Sequence, residues 1–190
     1  MYKEFMVYLG DKVMDKKENL VKYFWQITYA HTVAYFVAGI FALIVVNYRD
    51  LFATEIISSF MLSVDEPIVA LGGTFLQMFR GIIIALIILP LRKVFFEEKH
   101  GLIKLGVIIL GFSLLSTIGP TMGSFEGYIY TKIPVMYQIL GYPEAIIYIL
   151  LFIGLLNFSK KYGHKKIVTI ISIIIMILLS LMGIMGYLMA

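Results

Sequence analysis

Apolar residues fill five long runs of this chain, at about 23–46, 68–91, 102–119, 143–158 and 167–189, and polar residues crowd into the short segments between them. A helix rises about 1.5 Å per residue, so about 20 apolar residues cross a hydrocarbon core ~30 Å thick. The pattern predicts an all-α fold, a polytopic transmembrane bundle of about five spanning helices with short interfacial amphipathic segments. The fourth run is short. It lengthens only by taking in Ile133–Tyr142, but Pro143 lacks an N–H and suits the first turn of a helix, where Glu144 would meet the positive end of the dipole. Ile133–Tyr142 therefore reads as an interfacial segment. Leu51–Val64 reads the same way, because Leu51, Phe52, Ile56, Phe60 and Met61 alternate with Thr54, Glu55, Ser58 and Ser59 in a stretch too short to span. Asp65-Glu66-Pro67 is a start signal for the second run.

Ahead of the first run, Tyr2, Phe5, Met6, Leu9, Val13 and Met14 recur at mixed three- and four-residue spacing among lysines. Residues 1–22 read as a cytoplasmic amphipathic segment, lying on the inner leaflet or docking on a partner, followed by one transmembrane domain over 23–190. No cleavable leader is expected, since these residues hold no long apolar core.

Of 16 Lys and Arg, five (Lys3, Lys12, Lys16, Lys17, Lys22) precede the first run, four (Arg92, Lys93, Lys99, Lys104) follow the second, and four (Lys160, Lys161, Lys165, Lys166) follow the fourth. The other two connections hold only Arg49 and Lys132. The excess of cations on cytoplasmic loops places the N-terminus inside and, after five spans, the C-terminus outside. Composition agrees with the periodicity: 61% of residues are hydrophobic and 15% charged, against about 45–50% and ~25% in soluble domains. The net charge of +4 is therefore a matter of membrane side, and no nucleic-acid partner is expected. The chain holds no cysteine, which removes disulfides, thiolate metal sites and thiol nucleophiles, and no cofactor or metal motif is present. The richness in Ile, Lys and Tyr fits a prokaryotic plasma membrane.

Arg80 stands near the middle of the second run and cannot shed its charge, so it needs a partner or a wet cavity. Gly73, Gln77, Gly81 and Ala85 form a stripe of four-residue spacing beside it. The glycines let another helix approach closely. On the first run Thr28, His31, Tyr35, Ala38 and Ala42 share a weakly polar face. His31 lies about eight residues from the inner edge and Arg80 about twelve from the outer, roughly 12 and 18 Å deep, so their levels nearly coincide. The third connection, Gly119–Pro134, centres Glu126 among glycines, with Ser124 and Tyr130 nearby, and can fold back so that Glu126 meets Arg80. Arg80, Gln77, His31, Glu126, Tyr35, Ser124 and Tyr130 form the candidate ligand-binding set.

Size and helix count resemble the substrate-capturing subunits of energy-coupling vitamin transporters, in architecture alone and without a shared motif. The first functional reading is a subunit that binds or passes a small solute, with Arg80 holding an anionic group such as a carboxylate or phosphate. A second is an accessory, regulatory or immunity-type subunit that docks on a membrane protein through its N-terminal segment or the Gly73/Gly81 stripe. A third is a lipid-modifying enzyme that works through His31 or Glu126, although no hydrolase, phosphate-loop or metalloprotease motif is present.

Overall fold

A computed structural model of the chain describes residues 2–59, 61–115 and 123–189, with side chains from Leu20 onward. Among the described residues there is no strand. The first helix, α1 (Tyr2–Phe41), continues into a π-helical turn at Ala42–Val46 and stops at Asn47, whose φ of 56° takes the left-handed region that asparagine tolerates. Two short helices follow, α2 (Tyr48–Ala53) and α3 (Glu55–Ser58). The second span is made of α4 (Pro67–Gly73) and α5 (Phe75–Ile88, extended by a 3-10 turn at Leu89–Leu91), which meet at a bend of 41°. Then come α6 (Gly101–Leu115), α7 (Phe125–Tyr130), α8 (Val135–Tyr162) and α9 (Lys166–Leu188).

The class is a polytopic transmembrane bundle. Three helices are long and apolar enough to cross a membrane, Leu20–Val46, Val135–Tyr162 and Lys166–Leu188, and the bent pair makes a fourth. That is slightly fewer than the five expected. The described part of α6 is 15 residues, about 22 Å at 1.5 Å per residue and short of a full core, and residues 116–119 of the expected third span lie outside the described residues. Large apolar side chains face outward along every span, Ile83, Ile87, Leu150, Ile174 and Leu178 among them, each more than half exposed. Water would not sustain such a surface, but lipid does.

One expectation is corrected. Pro143 is not the first residue of the fourth span but lies inside α8, which begins at Val135, so most of Ile133–Tyr142 belongs to a 28-residue helix. Proline is tolerated inside transmembrane helices because neighbouring groups can take up the freed backbone carbonyl, and a rule drawn from soluble helices misplaced the start. Leu51–Val64 lies as expected at the surface: most of its described residues are exposed, Leu51 and Ile57 are buried against the bundle, and Phe52, Met61, Leu62 and Val64 line a cavity.

The core forms where α1 meets α5 and α8, with α6 packed on α8. Ala30, Ala34, Ala38 and Ala42 recur every four residues on α1 and are all fully buried, a seam of small side chains that lets the other helices approach closely. Ile27, Ala85, Leu105, Phe152 and Leu156 fill the space around it. At Gly81 α5 comes very close to α1, since a Cβ there would come within 2.8 Å of the Thr28 Cα.

Polar contacts fix the direction of each helix. At one end Trp25 Nε1 donates to Ser172 Oγ (2.9 Å), Gln26 Nε2 donates to the Ser159 carbonyl (2.9 Å), and Arg92 sits over the Tyr23 ring (5.2 Å). At the other, Tyr48 hydrogen-bonds Glu144, Arg49 pairs with Asp65 at 2.5 Å, and Thr74 packs on Gly183. The first span and α9 therefore run parallel, and α5 and α8 run against them. Gly106 lies on Ile153 while Leu114 and Leu115 lie near Tyr142 and Ala145, so α6 also runs against α8.

Candidate functional site

The break in the second span organises the site. Gly72 and Gly73 are poor helix formers, and Thr74 after them (φ −131°, ψ −83°) is not helical. Breaking a helix inside a membrane frees carbonyls that lipid cannot satisfy, so the break must be answered by protein groups or lie against a cavity. Both occur. The Thr74 hydroxyl donates to the Ala70 carbonyl (3.0 Å) and the Gln77 amide donates to the Gly72 carbonyl (2.7 Å).

Gln77 is also the last member of a chain of side chains. The Tyr148 hydroxyl lies 2.7 Å from His31 Nδ1, and His31 Nε2 lies 3.1 Å from Gln77 Oε1. With the Gln77 amide turned so that its nitrogen serves Gly72, its oxygen must accept, which puts the single ring proton on Nε2 and lets Nδ1 accept from Tyr148. Every group has one use. α8, α1, α5 and the end of α4 are thereby tied together, with His31 fully buried and flanked by the rings of Tyr35, Tyr148 and Phe152.

Beside the break lies a cavity of about 840 Å³ between the far half of the first span, the α2–α3 segment, α4 and α9. Its walls are mostly apolar, from Ile40, Leu43, Leu62, Val69 and Met182, with Gln77 and Thr74 on one side and Glu144 and Tyr48 on another. Tyr48 donates its hydroxyl to Glu144 Oε2, and Oε1 has no hydrogen-bond partner among the described residues. Burial first, and then the Glu144 carboxylate, push the Tyr48 phenol up, so it stays a donor at any physiological pH. Such a concave, mainly apolar space with a few convergent polar groups is the usual form of a small-molecule site.

The structure divides the sequence-derived residues into two groups. Gln77 and Tyr35 line the cavity. His31 stands behind Gln77, and Arg80 lies over the Tyr35 ring at 5.5 Å, exposed and without a hydrogen bond or ion pair among the described residues. Glu126, Ser124 and Tyr130 sit elsewhere, on α7, which packs on α6 and α8. The Arg80–Glu126 pair does not form. Ser124 caps α7, accepting from the Gly127 N–H at 3.0 Å. From Gly123 on, the third connection is held from within: buried Gln138 donates to the Gly127 carbonyl (3.0 Å) and Ile133 carbonyl (3.2 Å) and accepts from Gly123 N–H (3.4 Å), where φ is +83°. This connection borders a smaller, apolar cavity of about 430 Å³ between α6, α7 and α8.

Sequence reasoning missed Glu144, Tyr48 and Tyr148. The sequence pattern assigns Glu144 to a helix start that does not exist. One available signal was the rarity of an acid ten residues inside an apolar run that could be extended upstream. Gly81 is consumed within the chain by its contact with Thr28, and Gly73 faces open space on the cavity wall. Among the described residues no group of His, Asp and Glu could hold a metal.

Fold and site together define a helical membrane protein with a cavity at a broken span. Neither a protein-family model, nor a curated protein, nor a solved structure matches the chain, and the architectural resemblance to vitamin-transporter subunits gains nothing from them.

Proposed function

We propose that the protein is a plasma-membrane subunit that binds or passes a small solute at the break in its second span. The cavity of about 840 Å³ beside that break carries the reading, because discontinuous helices that line a polar-edged cavity are where membrane carriers hold their solutes. The lysine- and arginine-rich connections gather at the end opposite the cavity, which supports a cytoplasmic position for that end and an outward-facing cavity. The natural absence of cysteine makes the test direct. Val69→Cys, on the cavity wall, should react in intact cells with a membrane-impermeant maleimide, whereas Ile83→Cys, on the lipid face, should not. If Val69→Cys stays unreactive from both sides of the membrane, the cavity is closed to solutes and the reading fails.

A second reading, a subunit that works through a membrane-protein partner, is favoured by Arg80 alone. Its guanidinium is exposed in mid-span over the Tyr35 ring, with no ion pair among the described residues, and a cation in that position is expensive unless something pairs with it. A partner helix carrying a carboxylate would do so. Gentle purification of wild type and Arg80→Leu separates the readings: a stoichiometric partner lost in the variant supports the second, and the same solitary particle in both removes it.

A further inference from the structure

The charge of the cavity wall points to the ligand. Among the described residues that line it only Tyr35, Tyr48 and Glu144 can ionise, and none is basic. The two nearest arginines are turned to other uses: Arg49 pairs with Asp65 at 2.5 Å, and Arg80 lies on Tyr35 without lining the space. Among the described residues nothing bonds Glu144 Oε1, while Tyr48 holds Oε2. Four aromatic rings stand in the same wall, Tyr35, Phe36, Tyr48 and Phe52, and the last two are stacked with centroids 4.9 Å apart. A carboxylate among aromatic faces is the arrangement that recognises an ammonium, through an ion pair strengthened by low dielectric and through attraction to the ring faces. An anion entering the same space would meet Glu144 with nothing on the lining to offset it. The rest of the wall is aliphatic, so the remainder of the ligand must be apolar.

Resting on the solute-binding reading above, we infer that the cavity takes a lipophilic amine, its ammonium at Glu144 and its apolar body along α4 and α9. This reverses the charge that Arg80 alone suggests.

The experiment uses the full chain in lipid nanodiscs with three soluble compounds of one skeleton, 4-phenylbutylamine, 4-phenylbutyrate and 4-phenylbutanol. The amine should raise Tm where the other two do not. At ten times its Kd it should slow maleimide labelling of Val69→Cys about tenfold, since labelling requires the free site. Glu144→Gln should abolish the amine effect and Arg80→Gln should leave it. Should Glu144→Gln fail to fold, the labelling contrast between amine and alcohol in Val69→Cys still decides. Stabilisation by phenylbutyrate that disappears in Arg80→Gln overturns the amine assignment and keeps a solute site, now for anions. Equal effects of all three compounds, or none while Val69→Cys still reacts, overturn the assignment and leave an open cavity. No effect together with an unreactive Val69→Cys overturns this inference and the solute-binding reading at once.

Discussion

Thr32 carries a fully buried hydroxyl with no partner among the described residues, and Thr28 another. An unsatisfied hydroxyl in a protein interior costs about 1–3 kcal/mol, although in membranes the unfolded reference softens such penalties. Thr32→Val keeps the shape and removes the orphan, so it should raise stability by about 1 kcal/mol, read as a higher Tm in detergent. Two glycines of one stripe should behave oppositely for a reason visible at single-atom scale. Gly81→Ala drives a Cβ to 2.8 Å from the Thr28 backbone and should cost about 1–3 kcal/mol by forcing α1 and α5 apart. Gly73→Ala meets nothing within 4 Å and should be neutral or stabilising by up to about 1 kcal/mol, because alanine is the better helix former. Equal effects from the two substitutions would mean that the closeness of α1 and α5 at Gly81 is not what that glycine provides. The four-residue spacing of the stripe was plain in the sequence. Which of its members touches a neighbour was not, because spacing shows a shared face and leaves the rotation of that face undefined.

At the scale of elements, the break between α4 and α5 depends on Gln77 more than on any other side chain. Its amide serves the Gly72 carbonyl and the His31 ring together, at 2.7 and 3.1 Å. Gln77→Leu strands a carbonyl and a ring N–H in one step and should cost about 1–3 kcal/mol, whereas Gln77→Glu keeps an acceptor for His31 and should cost His31 little while losing the donor to Gly72. Measuring Tm for both, alone and with His31→Phe, forms a cycle. If His31→Phe and Gln77→Leu add without coupling, the chain from Tyr148 to Gly72 is not an energetic unit. Depth arithmetic brought His31 and Arg80 to one level from sequence alone, and Gln77 and Tyr35 came with them through helical spacing. Glu144 escaped it. Its place depends on α8 starting eight residues before Pro143 and on α8 crossing the first span near Tyr48, both consequences of tertiary packing that no local pattern records. For the same reason Glu126 looked like the natural partner of Arg80: a glycine-rich loop can fold in many directions, and Gln138 holds this one against α7 and α8.

Considered whole, the bundle is a set of directions, and five segments alternate in it even though α6 is too short as described to pass as a span. Gln26 on Ser159 and Tyr48 on Glu144 set α8 against the first span, Trp25 on Ser172 sets α9 along it, and Gly106 on Ile153 sets α6 against α8. The chain therefore passes along α6 from the end of the bundle that holds Lys99 to the end that holds Phe125. The alternation of helix directions was legible as a repeated hydrophobic pattern, while the described residues hold three to four helices long and apolar enough to cross where that pattern predicts five. The length of the third crossing was not legible, because its far end runs into glycine and proline. Cysteine mapping checks the whole arrangement at once. Phe125→Cys should label with impermeant maleimide from the outside together with Val69→Cys, and Lys99→Cys only after the membrane is opened. Labelling of Lys99 and Phe125 from the same side would make α6 re-entrant and leave the chain with four crossings. Labelling of Val69 and Phe125 only after permeabilisation, with Lys99 reached from outside, would keep every contact inside the bundle but invert it. The cavity would then face the cytoplasm, and Glu144 would meet its ligand there.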